Sequence, residues 1–353
     1  MKSGISLVMI VKNEEHVLAR CLESIKNYVD EMVIVDTGSE DRTVEIAESF
    51  GAQTYFFEWC NDFSAARNFA LSKANYNMRI VLDADEYVIE WHEKEVKAQL
   101  QENQVGVITL IDVFEKEGEI KQSKSYLSRM IPEDGHYSGA IHEQVVSKCK
   151  RVRIPIIIGH DGYLHTDKSE RNLEILYKLA KAQPKDSYIL YQLAHTLFVA
   201  NKNEEAYNYY KKYYKISKSN EGYRCDAIVD YLYNLMALSR LEEGLAVVKR
   251  EAQTYNDSPD FNFVCGHFYR ELVLFDINKY ISYLPYIEKS FLRCLEIGET
   301  SKYNSVVGTG SYEAAYNLAA WYEVAGQMEQ AKHYYLKAAE WGYERAINRM
   351  KQL

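Results

Sequence analysis

Two carboxylates, Asp83 and Asp85, stand two residues apart just after the apolar run that ends at Leu82, and Glu86 follows them directly. Acidic side chains at the mouth of a buried strand are costly unless a cation or a set of donors meets them. Oxygen ligands of this kind suit Mg2+ or Mn2+ carrying a diphosphate. Side chains alternate along an extended segment, so Asp83 and Asp85 are expected to face one ligand. Asp85 then touches the metal directly, and Asp83 acts nearer a ribose or through the metal. A solvated acidic turn is the alternative.

Other residues offer complementary chemistry. Asp36, followed by Thr37-Gly38-Ser39, can accept from a base or a ribose, and the helix start beyond it favours anions, with Ser39 or Asp41 as caps. In Asp62-Phe63-Ser64-Ala65-Ala66-Arg67-Asn68, Arg67 falls in the first turns of a helix, where its fork can engage a phosphate or base edge or form a surface salt bridge. Glu143, after His142, is a candidate general base for an acceptor thiol or hydroxyl. His160 closes the apolar run 154–158 and is a candidate further metal ligand, since neutral imidazole suits Mn2+.

These residues need a scaffold, and the first half of the chain supplies one by alternation. Residues 5–11, 32–36, 53–57 and 78–83 are apolar strand-like runs, and residues 15–25, 41–50 and 64–74 between them carry helical periodicity. Short links between such units predict right-handed crossovers and a mostly parallel sheet covered on both faces. Ligands of such sheets bind beyond the carboxyl ends of the strands, where Asp36, Asp83 and Asp85 fall. After a helix at 91–102 the pattern changes to strands that look antiparallel, at 105–113, 121–130, 144–146 and 152–158, an expected acceptor-side region.

From Lys168 onward only helices are expected. Leu190, Leu193, Ala194 and Leu197 precede Ala206, Tyr210 and Tyr213, and the same offsets recur in Ala315, Leu318, Ala319 and Tyr322 before Ala331, Tyr335 and Ala338. That spacing fits the tetratricopeptide helix pair, with Asn201 and Gly326 at the inter-helix turns and three to four repeats in all. A generic bundle is the alternative. The expected architecture is therefore an α/β domain over residues 1–166 and an all-α repeat domain over 167–353. Most of the 30 tyrosines fall in the second part, where helix packing accounts for them.

Composition narrows the classes further. With 353 residues, 47% hydrophobic and 26% charged, the chain can bury two cores. Its net charge of −9 argues against a nucleic-acid partner. None of the six cysteines forms a CxxC pair, so free thiols in a reducing compartment are expected. No signal peptide or membrane span is apparent, and a cytoplasmic location is the expectation.

The stretches Ser6-Leu7-Val8-Met9-Ile10-Val11-Lys12-Asn13-Glu14-Glu15, Val35-Asp36-Thr37-Gly38-Ser39, Asp62 to Asn68, Leu82-Asp83-Ala84-Asp85-Glu86 and Ile141-His142-Glu143 together resemble family 2 glycosyltransferases of the GT-A fold. Within that family they resemble the branch with C-terminal tetratricopeptide repeats, which includes S-glycosyltransferases acting on bacteriocin peptides. The resemblance implies inverting transfer from a nucleotide-sugar such as a UDP-sugar, with Mn2+ or Mg2+ at the Asp-x-Asp motif. It implies that Asp36 contacts the nucleobase and that Asp83 and Asp85 serve the ribose and metal. Val11, Glu14 and Ala84 would line the nucleotide pocket with Arg67 near it. The repeats would support dimerisation and engage the acceptor: a peptide thiol, a peptide hydroxyl or a glycan. A nucleotidyltransferase, which would need a nucleoside triphosphate, and a non-catalytic repeat scaffold are the rivals.

Overall fold

The structure, a computed structural model, describes residues 2–99, 101, 103–116, 118–162 and 169–353. It divides into two compact units, Met1–Ile175 and Leu176–Leu353. The boundary expected between residues 166 and 167 lies outside the described residues.

The first unit opens with the alternation expected: β1 (Lys2–Val11), α1 (Leu18–Ile25), β2 (Glu31–Asp36), α2 (Thr43–Ser49), β3 (Gln53–Phe56), α3 (Phe63–Leu71) and β4 (Tyr76–Val81). β1 lies between β2 and β4, and β2 beside β3, all parallel. Period-two alternation sends Leu7, Met9 and Val11 to one face, against Leu18, Leu22 and Ile25 of α1. Val8 and Val35 go to the other face with Ala70 and Leu71 of α3. Burial on both faces is why these strands read as continuous apolar runs. Gly51 stops α2 in the left-handed region, at φ +77°, as its position suggested.

The rest of this unit is β5 (Glu86–Trp91), α4 (Glu93–Gln99), β6 (Gln104–Lys116), β7 (Glu119–Ile131), β8 (His136–Ser138), β9 (Gln144–Val146) and β10 (Lys150–His160). Strand order in the main sheet is β3-β2-β1-β4-β7-β6-β10-β5, while β8 and β9 form a separate antiparallel pair. Pairing is mixed. β7 runs antiparallel to β4 and β6, and β5 to β10, but β10 runs parallel to β6. The expectation that the later strands are all antiparallel is thus corrected, because an apolar run does not encode its neighbour's direction. The helix expected from residue 91 begins only at Glu93, since residues 86–91 are used as the edge strand β5.

The second unit is helical apart from the short β11 (Ser305–Val306): α5 (Ser169–Ala182), which crosses the division, then α6 (Ser187–Val199), α7 (Asn203–Ile216), α8 (Arg224–Ala237), α9 (Leu241–Glu251), α10 (Pro259–Phe275), α11 (Ile277–Tyr280), α12 (Leu284–Ile297), α13 (Tyr312–Val324), α14 (Met328–Glu340) and α15 (Glu344–Met350). Four antiparallel pairs result: α6/α7, α8/α9, α10/α12 and α13/α14. Every residue of the two expected repeat templates is buried. Asn201 and Gly326 occupy the turns with positive φ, and Ser239 repeats that turn between α8 and α9. No helix among the described residues is long and apolar enough to cross a membrane.

Tyrosine hydroxyls donate to glutamates between helices: Tyr177 to Glu205 at 2.7 Å, Tyr207 and Tyr231 to Glu243 at 2.9 and 2.8 Å, Tyr214 to Glu251 at 2.9 Å and Tyr322 to Glu288 at 2.7 Å. Each rung buries an aromatic body and satisfies its polar tip. Glu251 also takes a bidentate fork from Arg224, at 2.6 and 2.9 Å.

Candidate active site

The carboxyl ends of β1 and β2 are stitched together first. Thr37 donates both its N–H and its hydroxyl to the Val11 carbonyl, at 2.9 and 3.0 Å. The Val11 side chain itself is in the core. Beyond it, the Glu14 N–H donates to the Thr43 hydroxyl at 2.7 Å and the Asn13 N–H to the Ser39 hydroxyl at 2.9 Å. The Asp36 carboxylate accepts the N–H groups of Gly38 and Ser39 at 3.0 and 3.1 Å, which fixes its direction and leaves lone pairs for a further donor. α2 starts only at Thr43, so neither Ser39 nor Asp41 is its N-cap residue; Asp41 instead holds the Thr43 N–H and hydroxyl.

α3 positions the next group. Asp62 caps it by accepting the Ala65 N–H at 2.9 Å. Asn68 clamps β8 from both sides, donating to the Tyr137 carbonyl at 2.9 Å and accepting the Tyr137 N–H at 2.8 Å. Arg67 lies between these anchors and is only 6% exposed, so its ion pairs are internal rather than at the surface. Its Nη2 donates to Asp83 at 2.6 Å and its Nε to Glu143. Arg129, near the end of β7, donates to Asp83 at 3.1 Å and to Glu86 at 2.5 Å. Two guanidiniums thus serve three carboxylates.

β4 ends at Val81, and residues 82–85 form a turn closed by the Glu86 N–H on the Asp83 carbonyl at 3.1 Å. The extended alternation expected through Asp85 therefore stops early, and the two aspartates meet different partners. Asp83 faces Arg67 and Arg129, while keeping 35% of its side chain exposed. Burial acts upward on Asp83, but the two arginines outweigh it and hold the carboxyl well below its usual range. Glu86, fully enclosed, is pushed up to about 7 by burial, with Arg129 opposing and Asp83 assisting. Ala84, between the aspartates, is buried in the core.

Asp85 lies instead beside His160. Asp85 Oδ2 is 3.4 Å from His160 Nε2, and His160 Nδ1 is 2.7 Å from Asp112 Oδ1. Burial alone would lower the imidazole, but its bonds to Asp112 and Asp85 prevail and push it up to about 10. Gly162 closes the space beside this pair: a Cβ there would fall 2.2 Å from Asp85 Oδ2 and 2.8 Å from His160 Nε2. The Gly162 segment is tied to α1 by a fork from Arg20 to Asp161, at 2.6 and 2.7 Å.

A divalent cation would fit at Asp85 and His160. An oxygen and a nitrogen on one small cation lie about 3 Å apart, and the bare glycine keeps that cradle clear of a methyl group. Among the described residues no cluster of three or more His, Cys, Asp or Glu side chains could hold a metal alone. Such a cation would take its remaining ligands from a phosphate-bearing substrate and water, as Mg2+ commonly does.

Glu143 ends the link from β8 to β9, where Gly139 and His142 have positive φ and Phe63 donates to the Ala140 carbonyl at 2.8 Å. Three buried polar atoms around Asp83 lack a hydrogen-bond partner among the described residues: Arg67 Nη1, Arg129 Nε and Tyr137 Oη. The Arg67 guanidinium stands 5.5 Å from the Tyr137 ring centre. Glu86 was read only as the residue following the two aspartates, and Arg129, Tyr137, Asp112 and Gly162 were given no role from the sequence. An arginine inside an otherwise ordinary strand was the one available signal among them.

Residues 6–158 match the family model Glycosyl transferase family 2. A TPR repeat-containing protein of Synechococcus elongatus is 31% identical over 68% of this chain and 63% of its own length. The SPbeta prophage-derived glycosyltransferase SunS of Bacillus subtilis is 25% identical over 58% of this chain and 51% of its own. The chain thus spans between about half and just under two thirds of these curated relatives. The crystal structure of MamA aligns with 50% of the chain and 91% of its own, at 15% identity and a TM-score of 0.40.

Proposed function

We propose that the chain, whose residues 6–158 match the glycosyltransferase family 2 model, transfers a sugar, with inversion, from a UDP-hexose to a Cys, Ser or Thr side chain of a peptide. The observation that carries this reading is the set of donors left over at Asp83. Arg67, Arg129 and Tyr137 are buried, ordered by neighbours, and still hold polar atoms without partners among the described residues. Buried polar groups are ordinarily satisfied, and spare ones at the carboxyl end of a parallel sheet suit an anionic nucleotide.

In this reading Asp36 receives the nucleobase, with Glu14 and the backbone of Val11 and Ala84 beside it, and Asp83 accepts from the ribose. Arg67 and Arg129 hold Asp83 in place and direct donors toward the donor phosphates. Asp85 and His160 would hold Mn2+ or Mg2+, which when bound neutralises charge on the departing diphosphate. Glu143 takes the acceptor's proton. Arg67 engages its Oε1, and no hydrogen bond among the described residues uses Oε2, the atom assigned to that task. The repeat domain presents the peptide, and a homodimer formed through it is the expected assembly. Six unpaired cysteines fit a cytoplasmic enzyme.

Asp85→Ala and Glu143→Gln test the two halves of the site with UDP-glucose, Mn2+ and a cysteine-containing peptide. Asp85→Ala should lose metal-dependent donor hydrolysis. Glu143→Gln should bind UDP-glucose as the parent does while transfer falls by about 10²–10⁴-fold. Undiminished hydrolysis in the first variant, or undiminished transfer in the second, removes the corresponding assignment.

A further inference from the structure

We propose that Asp112 is a positioning residue that sets the His160 imidazole toward the divalent cation, an inference that rests on the cation reading above. The sheet itself makes the pairing. In the parallel ladder of β10 and β6, His160 is the register partner of Asp112, and in the antiparallel ladder of β10 and β5 it is the partner of Glu86. Register partners project from the same face. Glu86, His160 and Asp112 therefore form a row across three strands.

Within that row the roles divide. Glu86 turns to Arg129 and the Asp83 N–H. Asp112 is left for His160, whose Nδ1 it meets at 2.7 Å with only 16% of its own side chain exposed. An imidazole ring has a broad torsion about its Cβ–Cγ bond, so burial alone does not aim it. A carboxylate accepting the Nδ1 proton fixes the ring plane, so that when a cation displaces the Nε2 proton the freed lone pair points to the opposite side. On that side lie Asp85 and the Gly162 backbone, where a methyl group has no room. Arg20, through its fork to Asp161, holds the floor of this space. Asp112 would touch neither sugar nor nucleotide, and it acts only through His160.

The test uses the full chain with UDP and Mn2+, read by calorimetry and by the nitrogen modulation of the electron spin echo from bound Mn2+. The parent should bind Mn2+ with an imidazole nitrogen signal, and Asp85→Ala should bind it far more weakly. Asp112→Asn, which preserves volume, and Asp112→Ala should each weaken Mn2+ by about 10–100-fold and diminish the nitrogen signal. If either fails to fold, Asp112→Glu gives the same two readouts. Parental affinity and an unchanged nitrogen signal in the Asp112 variants overturn the role of Asp112 while leaving a cation at Asp85. A parent that binds no Mn2+, or an Asp85→Ala variant that binds it normally, overturns the cation reading and this inference with it.

Discussion

Arginine is buried against carboxylates in both units, and the two solutions differ. In the repeat unit, Arg224 lays a fork on Glu251 and gives two further hydrogens to Tyr255 at 3.1 Å and Ser217 at 3.4 Å. All three of its nitrogens are engaged. In the sheet unit, Arg67 and Arg129 reach Asp83, Glu86 and Glu143, yet each keeps a buried nitrogen with no partner among the described residues. A buried ion pair that serves only the fold tends toward closure, since every unmet donor costs about 1–3 kcal/mol. A network left open has capacity for something else.

The sharpest way to break this contrast is to remove one arginine from each site. Arg67→Met should lower UDP-sugar turnover on the order of 10²–10³-fold and weaken UDP binding. Arg224→Met should instead destabilise the repeat unit by about 3–5 kcal/mol, because Glu251 is left buried without its cation, with UDP affinity unchanged at temperatures where the variant is folded. Equal losses of UDP affinity in both would erase the distinction.

A smaller change probes the spare capacity itself. Tyr137→Phe deletes a buried hydroxyl without a partner among the described residues, so the melting temperature should hold or rise slightly. UDP-sugar affinity should fall about fivefold, the equivalent of about 1 kcal/mol for one hydrogen bond. A clear loss of stability with unchanged affinity would mean that the hydroxyl serves the fold.

The smallest expected effect concerns two carboxylates whose hydrogen-bond partners among the described residues are neutral. Burial pushes Asp226 and Asp260 up to about 7; Asn304 and Thr309 oppose it as donors, and Asp230 adds to it. Their folded values lie above the ordinary 3.8, so folding retains protons that the unfolded chain has released. This stabilisation is complete below pH 4 and is lost as pH rises through 7. Glu251 has the opposite sign: Arg224 and Tyr214 lower it against burial, so its contribution is lost as pH falls below the ordinary 4.5. The melting temperature of the repeat unit should drop by about 2–4 °C between pH 5 and 8. Asp226→Asn with Asp260→Asn should flatten that slope, and an unaltered slope would place the protons elsewhere.

Much of the scaffold could be read in advance because its signals are local. Continuous apolar runs located β1 to β4, and small residues at fixed offsets located α6/α7 and α13/α14. The repeat formed by α8 and α9 kept the same buried spacing with Ile228, Tyr231, Leu232 and Leu235, but a serine in its turn and glycine and glutamate in its second helix disguised it. The site was legible at its carboxylates, at Arg67 and at His160. Arg129 meets Asp83 across 46 residues, and Asp112 meets His160 across 48. Only strand order brings such pairs together, and neither spacing nor periodicity encodes it. The direction of Asp83 and Asp85 escaped for a related reason, since alternation holds only while the strand lasts and β4 ends at Val81.

The tyrosine rungs of the repeat unit make the chain its own alkaline indicator. Burial, together with the glutamates they bond, pushes the phenols of Tyr214, Tyr231 and Tyr322 above their ordinary range and that of Tyr177 to about 12. Phenolate forms there only above the ordinary range, because it sets two anions against each other across the helix contact. Ultraviolet absorbance followed into strong base should therefore rise late, with Tyr177 ionising ahead of Tyr214, Tyr231 and Tyr322.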